Sequence, residues 1–322
     1  MAIFGVGIFL STLILYLVTA YPTVAYIDSG ELAVANWTLG IAHPTGYPLY
    51  TLIGRLFSLL PLELIKSQIL FGALSTAVAT MVISISLIRF LQLRNLFERV
   101  SLALTGLLLG VAPLVWSQGV TNEVYSLHLL MLVLIVSLLM KNYSTKNLIL
   151  GAFIVGLSFG NHMSTVLLLP AVAYYLFVNR RSLKGAHQAV MIAIGIAAMA
   201  ATLYLYLPIR SAQDPIFNWG QPTSWGNFLR HVSGWQYQVW MFSRTSDELA
   251  HALGNFVVTL FRQFPPPYWI AIFYGVWIGW RRQRRVLILL SLILVFNILY
   301  ALNFEIPDID NYLLPSVLAL FI

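Results

Sequence analysis

The 322-residue sequence is 59% hydrophobic and only 9% charged, with a mean hydropathy of +0.83. Soluble domains carry about 25% charged residues, so the composition excludes a water-soluble enzyme as well as a disordered or fibrous chain. There is no cysteine, which removes disulfide frameworks, thiol catalysis and Cys-based metal sites. The net charge of +7 would suit nucleic acid, but its placement points to a bilayer and no nucleic-acid partner is expected.

A span needs about 20 mostly apolar residues. In chain order the sequence predicts spans near Ala2–Tyr21, Gln68–Leu91, Val100–Trp116, Tyr125–Met140, Leu148–Gly160, Met163–Val178, Gln188–Leu207, Pro267–Trp280 and Val286–Asn303. A tenth begins near Tyr312 and is still apolar at Ile322, as expected of a truncated last span. The first lacks a basic leader and reads as a retained helix, not a cleaved signal. The fold class is therefore an all-α, polytopic membrane bundle: one transmembrane domain over residues 1–322, with long outer segments at 22–67 and 208–264. Amphipathic stretches at Glu31–Gly40 and Tyr50–Leu60 predict surface helices in the first of these.

Charge orients the bundle. With a cytoplasmic N-terminus, the inner loops hold Arg89, Arg94, Arg99, Lys141, Lys146, Arg180, Arg181, Lys184, Arg281, Arg282, Arg284 and Arg285, which is 12 of the 18 basic residues. Of the 11 acidic residues only Glu98 falls inside, so the polar chemistry is expected on the outer face.

The first outer loop reads Tyr26-Ile-Asp-Ser-Gly-Glu-Leu, then Leu39-Gly-Ile-Ala-His-Pro-Thr-Gly-Tyr-Pro-Leu-Tyr50. Asp28 follows the first span directly. A partly desolvated carboxylate there is a stronger base than in water and suits proton abstraction from a hydroxyl acceptor. Asp28 and Glu31 also have the spacing of a capping box, the alternative reading. His43 to Pro48 cannot be regular helix; it reads as a turn presenting His43 and Tyr47, or simply as a joint with His43 bonded to backbone. Glu123 precedes a span, as a functional acid or a group favoured by the helix dipole. His128 lies near its face, and Asn161 and His162 supply the polarity of a tight outer turn.

The fourth outer segment opens Tyr204-Leu-Tyr-Leu-Pro-Ile-Arg-Ser211. Arg210 at a span end suits a phosphate or is a snorkelling side chain. Trp and Tyr residues through Asn218-Trp-Gly220 and His231 to Tyr237 suit an aromatic belt or stacking on sugar rings. Arg262, Asp308, Asp310 and Tyr312 complete the outer inventory. Glu123, Asp308 and Asp310 are a set able to hold a divalent cation or to orient an arginine. No other cofactor is indicated. Asn36-Trp-Thr38 is a glycosylation sequon.

Asp28-Ser-Gly-Glu31 with Gly40-Ile-Ala-His-Pro-Thr-Gly-Tyr-Pro-Leu-Tyr50 resembles a known family, and Asn122-Glu-Val-Tyr125, Tyr206-Leu-Pro-Ile-Arg-Ser211, Asn218-Trp-Gly220 and Asp310-Asn-Tyr-Leu-Leu-Pro315 support the likeness. The family was long catalogued as a polytopic domain of unknown function; its animal member is a protein O-mannosyltransferase of the endoplasmic reticulum, in the GT-C glycosyltransferase superfamily. The resemblance implies a sugar donor on a polyprenyl phosphate, a protein or glycan acceptor and an active site on the outer face. It also implies that the acid after the first span is the general base, which by position is Asp28, with Glu31 close by. His43, Tyr47, Glu123, His162, Arg210, Asp310 and Tyr312 are the expected substrate-binding set, Arg210 or Arg262 offsetting the phosphate charge. A transporter or flippase is the alternative, but it calls for ionisable groups deep within spans; a membrane scaffold would need none of the outer carboxylates.

Overall fold

The computed structural model describes residues 2–25, 28–183 and 185–322. Tyr26, Ile27 and Lys184, which figure in the sequence reading, lie outside the described residues, as does Met1. Among the described residues seventeen α-helices follow one another: α1 (Ala2–Val18), α2 (Ser29–Thr38), α3 (Pro48–Ser58), α4 (Leu64–Phe90), α5 (Leu96–Gly110), α6 (Pro113–Val120), α7 (Val124–Leu139), α8 (Thr145–Phe159), α9 (Leu169–Val178), α10 (Arg180–Leu183), α11 (His187–Ala201), α12 (Tyr206–Ser211), α13 (Trp225–Val232), α14 (Ser246–Phe261), α15 (Pro266–Arg282), α16 (Arg284–Leu302) and α17 (Leu314–Phe321). Among the described residues there is no sheet, only isolated bridges joining Ile41 to Asn218 and Met241 to Phe304.

Helix α4 is the central post, packed by α1, α5, α6 and α7. Its contacts rest on small and hydroxylated residues, as expected where helices must approach closely without a hydrophobic drive from water. Gly106 meets Ser84, Gly119 lies against the Tyr16 ring, and the Tyr16 hydroxyl donates to the Gly110 carbonyl at 2.8 Å. Helix α15, by contrast, buries none of its residues, and Ile270, Phe273, Tyr274, Val276, Trp277 and Trp280 are all exposed. An apolar face of that size is a lipid-facing surface.

Each expected span coincides with helix, but the helices differ in length and shape. By length and apolarity Leu64–Phe90, His187–Ser211 and Arg284–Leu302 suffice to cross a bilayer alone. A fourth, expected as one span at Val100–Trp116, is instead the pair α5 and α6, bent by 67°. Pro113 disfavours helix in the residue before it and removes a donor, so the helix breaks at Val111 and Ala112. Others are shorter apolar helices such as α7, whose 16 residues extend about 24 Å against a hydrocarbon core of about 30 Å. The helix expected to end at Leu207 runs on through a 3₁₀ turn at Thr202–Leu205 into α12, so Pro208 and Arg210 lie within it. Proline is tolerated there because it falls in the first turn after the 3₁₀ segment.

Both surface helices of the first loop form, as α2 and α3. They are clamped to α4 where the Asn36 amide donates to Gln68 Oε1 at 2.7 Å and the Gln68 amide to the Gly54 carbonyl at 3.0 Å. Asn36 is fully buried, so the sequon is no acceptor in the folded chain.

Candidate active site

Asp28 occupies the N-cap position of α2, but its carboxylate makes no capping hydrogen bond. This corrects the capping-box reading. A capping residue sits in the extended region, whereas Asp28 lies outside it at φ −101° and ψ −9°. Glu31, one turn later, is drawn off as well. Its Oε1 accepts from the His43 backbone N–H at 2.6 Å and lies 2.9 Å from His43 Nδ1. An ionised carboxylate only accepts, so Nδ1 carries the proton. His43 Nε2 is then 2.8 Å from the Tyr47 hydroxyl and 3.7 Å from Asp28 Oδ2. Thus His43 is bonded to side chains, with its own backbone amide as an added tie to Glu31.

The turn that sets this geometry depends on Gly46 and Tyr47, both left-handed at φ +87° and +43°. A Cβ on Gly46 would lie 2.8 Å from Leu207 Cδ2 and 3.0 Å from His231 Nε2. Tyr47, a non-glycine residue held in that region, swings its ring inward to stack on His162 at 5.9 Å and an interplanar angle of 10°.

Asn122 joins the second loop to the first. Fully buried, it donates to the Ser29 carbonyl at 2.8 Å and accepts from the Tyr50 hydroxyl at 2.5 Å. Its neighbour Glu123 is thereby set beside Asp28. The third wall comes from the chain after α16, where Asp308 Oδ2 accepts from the Tyr125 hydroxyl at 2.9 Å. Asn311 accepts from Gln118 at 2.9 Å, and Asn297 donates to the Tyr312 carbonyl at 2.7 Å, fixing that segment. Between the three walls lies a cavity of about 410 Å³ that Asp28, Glu123 and Asp308 line together. A second, of about 190 Å³, shares those three carboxylates and adds His43, Tyr47, Tyr125, Tyr237 and Tyr312. A third, of about 170 Å³, shares Tyr47, Tyr237 and Tyr312 and adds His162, Ser164 and Gln238.

Burial raises the Asp28 carboxyl above the ordinary value; His43 opposes this, while Glu31 and Asp308 add to it. Burial pushes Glu123 well up too, with Asp28, Asp308 and Glu31 acting in the same direction. For His43 burial alone lowers the imidazole, but the Glu31 hydrogen bond and the charges of Asp28, Glu31 and Asp308 outweigh it and the net shift is upward. Among the described residues no Lys or Arg lines the two carboxylate cavities, and of those that do, His43 is the one able to carry positive charge.

Of the expected residues, Asp28, His43, Tyr47, Glu123 and Tyr312 line these cavities, Glu31 orients His43, and His162 lines the aromatic one. Arg210 is not brought there. Its guanidinium is bound to the Leu39 and Thr38 carbonyls at the end of α2, at 2.8 and 3.2 Å, and to Gln213. The unpaired carbonyls of that helix end capture the cation, so it anchors α2 instead of facing a phosphate. Arg262 lines neither cavity. Asp310 is exposed, and Asp308, two residues earlier, takes the place expected of it. Spacing alone did not separate the two; the turn Ile306-Pro307-Asp308 is the signal that places one inward. Tyr125, Tyr237 and Trp240 were also missed as site residues. His128 supports His162 through Ser164, whose hydroxyl lies 2.9 and 2.7 Å from the two rings.

Asp28, Glu31 and His43 each present one ligand atom within 4.8 Å of one another. Two carboxylates and an imidazole fit a divalent cation, although the Glu31–His43 hydrogen bond already uses one oxygen and Nδ1.

A family model described as the Protein O-mannosyl-transferase TMEM260 N-terminal domain matches residues 28–185. The match starts at Asp28 and includes the first-loop motif and Asn122–Tyr125. Protein O-mannosyl-transferase TMEM260 of Mus musculus is 26% identical over 270 residues, covering 79% of this chain and 37% of that protein. The protein of the same description from Dictyostelium discoideum is 25% identical over 250 residues, covering 71% and 30%. The chain thus spans 37% and 30% of the length of these curated relatives. The crystal structure of ArnT from Cupriavidus metallidurans bound to undecaprenyl phosphate shares the fold, with a TM-score of 0.68 over 99% of this chain and 59% of that one at 15% identity. The chain has the fold of that structure, and with its exposed apolar helices it is a multi-pass integral membrane protein.

Proposed function

We propose that the chain transfers a sugar from a polyprenyl-phosphate donor to a hydroxyl acceptor, with Asp28 as general base. The observation that carries this is the uncapped Asp28 carboxylate facing a cavity between the first loop, Glu123 and Asp308. The named activity of the two curated relatives makes mannose the first sugar to try and a protein hydroxyl the first acceptor; ArnT's bound lipid makes a polyprenyl phosphate the donor class. Neither curated relative is described as a transporter.

In the step proposed, the acceptor oxygen attacks the anomeric carbon while its proton passes to Asp28. The bond between that carbon and the phosphate oxygen breaks, and the polyprenyl phosphate leaves with the electron pair, so a single displacement inverts the centre. The raised basicity of Asp28 favours the proton transfer, and His43, held by Glu31 and Tyr47, supplies the nearby positive charge. A divalent cation on Asp28, Glu31 and a neutral His43 would take the place of that protonated imidazole in stabilising the leaving phosphate. The aromatic cavity, with Ser164 and Gln238 as polar partners, suits the sugar ring.

The cleft belongs on the outer face and the N-terminus on the cytoplasmic side. Support comes from Arg89, Arg94, Lys141, Lys146, Arg180 and Arg281–Arg285, which cluster at the helix ends away from the cleft. Sugar transfer from polyprenyl-phosphate mannose in proteoliposomes of the full-length protein tests the reading. Product that depends on Asp28 supports it; no product from any polyprenyl-phosphate sugar would overturn it.

A further inference from the structure

At the end of the bundle opposite the carboxylate cleft, helices α7, α8, α9 and α11 leave a cavity of about 360 Å³. Its wall is almost wholly apolar: Leu138, Leu139, Leu148, Val155, Val172 and Leu176 lead it, with Gly151, Ala152, Ala193 and Ala197 too small to fill the space. It reaches the lipid-facing surface at Ile194, which is 59% exposed. A space of this size is that of an ordinary ligand site, and an apolar hollow open to hydrocarbon is filled by hydrocarbon.

Its far end is cationic. Arg285 places its guanidinium 5.0 Å from the centre of the Tyr175 ring and donates to the Leu139 carbonyl, and both residues line the cavity. Lys146 and Arg181 are exposed, one next to Asn147 and the other two residues from Leu183, which also line it. The buried Tyr143 hydroxyl at this end has no acceptor in the protein, and Arg285 Nε makes no well-aligned hydrogen bond, with only the Tyr175 hydroxyl beside the guanidinium. Buried donors without partners call for one, and a phosphodiester supplies acceptors while matching the charge.

We propose that this cavity binds one anionic phospholipid, an acyl chain lying among α7, α8, α9 and α11 and the phosphate at Arg285, Lys146 and Arg181. The site is separate from the cleft and does not depend on the proposed transfer reaction.

The test uses full-length protein purified in mild detergent, washed with phosphatidylglycerol or phosphatidylcholine and weighed intact by native mass spectrometry. The wild type should retain one phosphatidylglycerol through delipidation. Gly151→Phe fills the cavity from a position where an added Cβ meets only Leu138 Cδ1, at 3.9 Å, and should lower that occupancy at least tenfold. Gly151→Leu, a smaller filling that also favours helix, should lower it less. Lys146→Gln with Arg181→Gln should erase the preference for phosphatidylglycerol over phosphatidylcholine. The proposal is overturned if the wild type retains neither lipid, if both glycine variants retain as much as the wild type, or if the molecule displaced by Gly151→Phe is a polyprenyl phosphate.

Discussion

Asp28→Asn separates the two roles that the position allows. A positioned base contributes about 10²–10⁴-fold to rate, and asparagine cannot take the proton, so transfer should fall by about that factor. Folding should be untouched. A true N-cap residue loses about 0.5–2 kcal/mol on replacement by alanine, but Asp28 makes no capping bond. Even Asp28→Ala should therefore change stability by less than about 0.5 kcal/mol. The sign of any effect of Asp28→Asn at neutral pH should be stabilising. Burial raises the Asp28 carboxyl, with Glu31 and Asp308 adding to this, so the folded state holds its proton more tightly than the unfolded chain does. Stability then falls as pH rises from the ordinary carboxylate value through the raised one, and the variant loses that slope. The assay is initial-rate transfer from labelled polyprenyl-phosphate sugar in proteoliposomes, with thermal unfolding of the same preparations. If Asp28→Asn unfolds normally and transfers within threefold of wild type, Asp28 is not the base, and Glu123 becomes the carboxylate to examine.

His43→Gln removes the positive neighbour that holds Asp28 down, so the acid limb of kcat/KM should move to higher pH; an unchanged limb in a pH–rate profile would uncouple the pair. Asp308→Asn should cut transfer, because it lines the cleft and holds the Tyr125 hydroxyl, while the exposed Asp310→Asn should stay close to wild type under the same assay. Asn122→Ala leaves the Ser29 carbonyl and the Tyr50 hydroxyl unsatisfied in a buried site, at a cost of about 1–3 kcal/mol for each. A lower unfolding temperature together with a lower kcat is expected, and wild-type values for both would show that the loop is held elsewhere. Gly46→Ala meets Leu207 at φ +87° and should destabilise by about 1–3 kcal/mol, read as loss of folded protein on heating.

The helical bundle was legible because hydropathy runs and flanking charges are properties of single segments. What the segments do to one another was not. The bend between α5 and α6 was signalled by Pro113, yet a bent pair and a span ending early have the same hydropathy profile. The continuation of α11 into α12 was hidden because Pro208 reads locally as a stop, and only the 3₁₀ turn at Thr202–Leu205 shows how the chain accommodates it. The capping box failed for a related reason. Asp28 and Glu31 have the right spacing, but Glu31 finds a backbone amide and a ring nitrogen 12 residues away in His43, and these outcompete the helix end.

The site itself was half legible. Asp28, His43, Tyr47 and Glu123 stand out in sequence because polar residues beside spans are rare in so apolar a chain, but the third wall comes from far along the chain, 183 residues after Tyr125, where Asp308 and Asp310 look alike. Arg210 shows the limit most clearly. A guanidinium near an interface suits a phosphate, and it equally suits the bare carbonyls at the end of α2, which lie closer and bind it first. With Arg210 committed there, the cleft has three carboxylates on its walls and, among the described residues, no Lys or Arg. A phosphate entering it meets like charge, so the balance must be reset by protons or a cation. Protons are at hand without taking up the base: Glu123 is pushed toward the neutral form and His43 toward the charged one. Both shifts make the cleft less negative while Asp28 stays free to accept the acceptor's proton, and neither requires an arginine.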